Sequence, residues 1–191
     1  MSEAGTRYSV ETGRSGLTYE DYCALPDDGL RYEIVDGMLF AEPSPRRAHQ
    51  EAVGNLFAIL HGYVRAHDLG KVYVAPFDVI LDPRTTVVPD LVFVVRDRLG
   101  IVAERGVEGA PDLLVEVLSA GTARRDRVRK LNAYARLGVR HYWLVDPEAK
   151  TVEAFELVED AYRLAAAVGG DDEFRPGAFP GLAISLPILF A

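Results

Sequence analysis

A carboxylate sits inside each of two short apolar runs, and no other feature of the 191 residues limits the architecture so tightly. The first run is Val87-Val-Pro-Asp-Leu-Val-Phe-Val-Val95, with Asp90 near its start. The second is Ala110-Pro-Asp-Leu-Leu-Val-Glu-Val-Leu-Ser119, with Glu116 inside it. Runs this continuously apolar suit strands covered on both faces. A charge there costs several kcal/mol unless it is paired or binds a metal. Side chains alternate along a strand, so Asp112, Leu114, Glu116 and Leu118 share one face, and Val88, Asp90, Val92 and Val94 share another. If the two strands are neighbours in register, Asp90 and Glu116 converge. Asp112 lies roughly 13 Å along the strand from Glu116 and stays outside that pair. Two converging carboxylates with open positions suit Mg²⁺ or Mn²⁺. These ions take oxygen ligands, keep several waters and often complete their shell with substrate phosphate.

The rest of the chain supplies the frame. Residues 1–16 are expected to be a flexible tail, and 17–191 a single domain. Thr18 with Asp21 opens a short helix as a capping pair. Asp36-Gly37 joins Arg31–Val35 and Met38–Glu42 as a two-residue hairpin, and Pro43-Ser-Pro45 breaks the chain. Over 47–68, Val53, Leu56, Phe57, Leu60 and Val64 form one apolar helical stripe, which Gly70 stops. Lys71–Leu81 reads as a strand and Asp82–Thr85 as a turn. The Asp90 strand, a charged connection over 96–109 and the Glu116 strand follow. A second helix spans 122–137 and closes at Gly138, with Val128, Leu131, Tyr134 and Ala135 buried. His141–Asp146 is a strand. Thr151–Leu157 and Tyr162–Val168 form a closing hairpin, and Phe179–Phe190 reads as an irregular edge. This order predicts an α/β fold, α+β-like in its sequence of elements: a central mixed sheet flanked by helices, with N-terminal and C-terminal hairpins.

Composition narrows the function. The net charge of −8 counts against a tight passive nucleic-acid binder. It counts less against an enzyme that meets phosphate through a bound cation. No apolar run approaches about 20 residues, so no membrane span is expected, and the polar N-terminus carries no signal-peptide pattern. The single cysteine, Cys23, is compatible with a cytoplasmic location and reads as a small packed hydrophobe. His49, His61, His67 and His141 are scattered and read as surface or helix residues. Phosphate-binding Gly-rich loops, a nucleophile elbow and a dinucleotide fingerprint are missing.

A cation is the third member the acids call for. Lys130 lies about 100° round the second helix from Leu131, at the flank of the stripe. Its stem could run along apolar surface to a site at the sheet edge. The spacing alone favours a surface ion pair with Asp126 at i, i+4. Arg127 lies nearer the stripe and is a rival. The basic run Arg124, Arg125, Arg127, Arg129 and Lys130 reads equally as a guide for a phosphate backbone or as a solvated face.

Taken in order, five segments resemble the Uma-two family of restriction-endonuclease-like proteins, within the PD-(D/E)XK nuclease superfamily. They are Tyr32-Glu-Ile-Val-Asp-Gly37, Val88-Pro-Asp-Leu91, Ala110–Ser119, the trio Asp126, Lys130 and Tyr134, and Gly138-Val with Tyr142-Trp-Leu-Val-Asp-Pro147. The resemblance implies a restriction-endonuclease-like fold, with Asp90 and Glu116 as acidic ligands of Mg²⁺ or Mn²⁺. The superfamily's lysine stands two residues after the second acid, where this chain has Leu118. The resemblance implies that Lys130 has taken over its role. Glu33 matches a family motif, yet as a hairpin residue it also reads as simply outward-facing. The implied activity is metal-dependent phosphodiester hydrolysis of nucleic acid, DNA above all. An exposed edge hairpin and the apolar C-terminal tail point to a homodimer, and the lone cysteine is compatible with the cytoplasm. The competing reading is a non-catalytic binding or assembly module that keeps the fold.

Overall fold

A computed structural model describes residues 10–42, 44–119 and 123–191. In chain order the strands are β1 (Val10–Glu11), β2 (Arg31–Val35), β3 (Met38–Glu42), β4 (Gly70–Val74), β5 (Asp78–Asp82), β6 (Thr85–Val87) and β7 (Leu91–Val95). They continue with β8 (Gly106–Glu108), β9 (Leu113–Val117), β10 (His141–Asp146), β11 (Thr151–Val158), β12 (Ala161–Gly169), β13 (Glu173–Phe174) and β14 (Ile184–Ser185). The helices are α1 (Tyr19–Cys23), α2 (Arg47–Ala66), α3 (residues 123–136) and α4 (Leu186–Leu189).

The strands form two six-stranded sheets and one small pair. The central sheet runs β12-β11-β10-β9-β7-β4 and is mixed, with β9 and β10 parallel and the other neighbours antiparallel. The N-terminal sheet runs β1-β3-β2-β6-β5-β8. This is the expected α/β arrangement of mixed sheets flanked by helices, with a hairpin near each end. One core lies between the central sheet and α2, where Leu56 and Leu60 meet Phe93, Val115 and Trp143. The other lies between the central sheet's opposite face, the N-terminal sheet and α3, where Val92, Leu114 and Leu118 meet Val35, Val87 and Tyr134.

The N-terminal hairpin follows its turn chemistry. Asp36 and Gly37 have φ of 53° and 77°, the left-handed pair that a two-residue primed turn needs. The Thr18 amide donates to Asp21 Oδ2 at 2.8 Å, half of the expected capping box. Val10 and Glu11 pair with β3, so ordered structure begins inside the segment read as tail. Residues 1–9 of that tail, Pro43 of the chain break and Thr122 of the second helix lie outside the described residues.

Several expectations are corrected. The run 71–81 is two strands in different sheets, β4 and β5, separated by Ala75-Pro76-Phe77. Proline has no N–H for a ladder, which is why the pairing stops there. The run 87–95 is likewise divided: Val87 ends β6 in one sheet, Leu91 starts β7 in the other, and Pro89 and Asp90 make the crossing. Gly70 opens β4 rather than stopping α2, and a Cβ there would collide with the Val94 carbonyl oxygen. Cys23 is exposed, not packed. The C-terminal segment is core rather than edge. Phe179, Leu182, Ile184, Leu186 and Leu189 are buried, and Phe179 meets the Trp143 ring edge-on at 5.9 Å. Such an aromatic contact contributes about 0.5–1.5 kcal/mol beyond area burial.

Candidate functional site

The second helix decides where the chemistry goes. Its segment Asp126–Lys130 is π-helical, between α-helical turns at Ala123–Arg125 and Leu131–Arg136. A π-turn spends more residues per turn and so shifts the angular phase of what precedes it. Asp126 and Lys130 therefore turn into the core, while Val128, expected inside, is 53% exposed. Lys130 is not the surface partner that its spacing suggested.

Lys130 Nζ donates to Glu33 Oε1 and to Glu116 Oε1, each at 2.8 Å, and lies 3.6 Å from Asp126 Oδ1. Glu116 comes from β9, where it points with Leu114 and Leu118 toward α3. Glu33 comes from β2 and shares the inward face with Val35, so the outward reading of this residue fails. Glu33 is also held by the Val88 amide at 2.9 Å and by Arg125 Nη2 at 3.1 Å. Arg125 bonds Glu42 as well. The Tyr134 hydroxyl donates to Glu116 Oε1 at 2.9 Å.

Asp90 sits at the crossing beside this cluster. The β7–β9 ladder pairs Leu91 with Val115, which places Pro89 opposite Val117, where no further rung forms. The Val117 amide donates instead to Asp90 Oδ2 at 2.8 Å. His49 Nε2, from the first turn of α2, lies 3.2 Å from the same oxygen. The Asp90 side chain is thus held at the β9 residue next to Glu116, and its charge bears on Glu116. Among the described residues, no donor bonds Asp90 Oδ1 or Glu116 Oε2.

Burial and charge set the protonation pattern. Four buried carboxylates, Glu33, Glu42, Glu116 and Asp126, face two permanent cations, Arg125 and Lys130, and a fifth, Asp90, bears on Glu116. Burial alone would raise Glu33, but Lys130 and Arg125 overcome it and hold its carboxyl at about 2. Glu116 has only a share of Lys130. Burial, aided by the charges of Asp126, Glu33 and Asp90, pushes it well above the ordinary carboxylate range. Lys130 is kept protonated: burial works against its charge, and Glu116 and Glu33 more than restore it. The excess of negative charge and the all-oxygen donor set fit a hard divalent cation. Among the described residues no three His, Cys, Asp or Glu side chains form a ready-made cage. Mg²⁺ does not need one, since it is commonly held by one or two carboxylates with water and phosphate.

The other expected residues separate cleanly. Asp112 stays out of the cluster, accepting from the Val95 amide at 2.9 Å and from Arg98 at 2.8 Å. Arg127 turns away to Glu153 and Asp146. Of the basic run, Arg125 and Lys130 are buried in the cluster and Arg129 packs over Phe40. The side chain of Arg124 lies outside the described residues. Arg125 and Lys130 are therefore part of neither a solvated face nor an open track for a phosphate backbone. Sequence reasoning missed His49, and it named Arg125 and Tyr134 without giving them their parts in this cluster. The signal for His49 was its position four residues before Val53, on the apolar stripe of α2.

The family model described as Uma2, putative restriction endonuclease, matches residues 19–187. Among solved structures, a putative nuclease belonging to DUF820 from Anabaena variabilis is 18% identical and aligns with a TM-score of 0.74. The alignment covers 91% of this chain and 97% of that one. At that identity the likeness speaks for the fold. Comparison with curated proteins gives no match.

Proposed function

The chain belongs to the Uma2 family, and on that footing we propose that it is a divalent-metal-dependent endonuclease acting on nucleic acid, DNA in the first instance. The site is Asp90, Glu116 and Lys130. The observation that carries the reading is the buried ammonium of Lys130, 2.8 Å from Glu116 and arriving from a neighbouring helix. It supports the view that Lys130 stands in for the lysine missing at Leu118.

Asp90 Oδ1 and Glu116 Oε2 are the oxygens that would hold the ion. A Mg²⁺ or Mn²⁺ bound there supplies Lewis-acid polarisation of the phosphoryl oxygen and a more acidic water. Tyr134 and Lys130 fix the Glu116 carboxylate by taking its other oxygen. Glu33 fixes Lys130 in turn. Because Lys130 stays protonated, its part is to stabilise charge developing on the phosphate, not to act as a base. Two parts of the reading reach beyond the site. The edge of β12, which has no pairing strand among the described residues, and exposed Leu164 and Val158 nearby support a homodimer. The exposed thiol of Cys23 supports a cytoplasmic location.

The net charge of −8 and the departure at Leu118 favour the rival reading, a non-catalytic module that keeps this fold. Nicking of supercoiled plasmid and of single-stranded DNA with Mn²⁺ or Mg²⁺ separates the two. Metal-dependent cleavage by the wild type, lost in Glu116→Ala, supports the nuclease. No cleavage, or equal cleavage by the variant, supports the module.

A further inference from the structure

We infer that His49 is a positioning residue for Asp90, aligning that carboxylate to receive a divalent cation. The inference rests on the site proposed above.

His49 occupies the first turn of α2, whose inward stripe is otherwise apolar: Ala52, Val53, Leu56, Leu60 and Val64. A buried imidazole on such a stripe carries two polar nitrogens into the core, each of which needs a partner. Nε2 finds Asp90 Oδ2 at 3.2 Å. Nδ1 is buried with no hydrogen-bond partner among the described residues. A leucine at this place would fill the stripe without leaving an orphaned nitrogen. Packing therefore does not account for the residue, and its contact with Asp90 does.

Asp90 itself needs such a contact. It stands outside any strand, at the crossing between sheets, where its carbonyl accepts from the Ala75 amide at 3.0 Å but its side chain has to be held separately. The Val117 amide donates to Oδ2, and His49 Nε2 lies 3.2 Å from the same oxygen, so two different elements converge on it. Contacts from two elements at one oxygen restrain where the carboxylate sits. Oδ1 is left as the oxygen with no donor among the described residues. Outer partners that orient a ligating group in this way typically change metal affinity by roughly 10- to 100-fold when removed.

The test is Mn²⁺ binding to the full-length protein, followed by titration calorimetry and by the electron paramagnetic resonance signal of free Mn²⁺. Three variants are compared with wild type: His49→Leu, His49→Gln and Asp90→Ala. The leucine keeps the apolar stripe filled, so metal-free stability should equal or exceed wild type while Mn²⁺ affinity falls roughly 10- to 100-fold. The glutamine keeps an N–H donor and should recover most of that affinity. Asp90→Ala should bind weakest. Wild-type affinity in His49→Leu, with Asp90→Ala impaired, overturns the role of His49 and leaves the nuclease site standing. Equal affinity in all three variants, or no Mn²⁺ binding by wild type, overturns the site and this inference with it. A His49→Leu protein that is less stable without metal, and no weaker in binding once folded, assigns His49 to packing and also overturns the inference.

Discussion

Replacing Lys130 by methionine keeps the stem and removes the ammonium that Glu33 and Glu116 share at 2.8 Å. Removing one partner of a buried ion pair costs about 3–5 kcal/mol, because the remaining charge is stranded. Two features pull the value to the lower end. Glu33 keeps Arg125 at 3.1 Å, and Glu116 can escape by taking up a proton. The expected loss at pH 8 is about 3 kcal/mol, or about 6–12 °C in Tm for a chain of this size. The escape by protonation makes the loss depend on pH. Glu116 already titrates above its ordinary value in the folded protein, and without the ammonium it moves higher still. Such a carboxyl binds its proton more tightly folded than unfolded. Stability is full below the unfolded value near about 4.3 and falls as pH climbs toward the folded one. The deficit of Lys130→Met should therefore shrink toward about 1 kcal/mol at pH 5, the worth of a lost hydrogen bond. Urea unfolding of both proteins at pH 5 and pH 8 measures it. A deficit that is the same at both pH values, or below about 1 kcal/mol at pH 8, refutes a Lys130 buried between two carboxylates.

Two further outcomes check the frame around the site. Val128→Lys should change stability by no more than about 0.5 kcal/mol in thermal or urea unfolding, as an exposed substitution does. A loss of several kcal/mol would mean that the helix keeps α phase there and buries Val128. Asp112→Ala strands the Val95 amide and Arg98, so it should cost about 1–3 kcal/mol in the same assay. Mn²⁺ affinity should be unchanged by it, and a parallel loss of affinity would place Asp112 in the cluster after all.

Much of this architecture is legible in the residues. Asp36-Gly37 marks the first hairpin because few residue pairs tolerate its turn, and Glu159-Asp160 joins the closing one between two strand-like runs. Charge inside an apolar run singles out Asp90 and Glu116. What escapes is whatever breaks the period on which such reading depends. The π-turn over Asp126–Lys130 rotates Lys130 inward and Val128 outward, and nothing in an α-helical count announces it. Pro76 and Pro89 each cut an apparently continuous strand in two, and local alternation cannot tell which sheet the next segment joins. Glu33 is ambiguous in a hairpin until the partner layer is known, and its cations lie 92 and 97 residues further along the chain.

The backbone passes from one sheet to the other at both prolines, and Asp90 stands on the second of these stitches. Glu33 reaches over from the opposite layer to grip Val88, two residues before it, and to grip Lys130 as well. Any sliding of one layer over the other would have to drag these groups apart. The spacing between the acids and the ammonium is thus geared to the alignment of the two layers. A substitution that loosens the seam far from the cluster would blur the cluster itself.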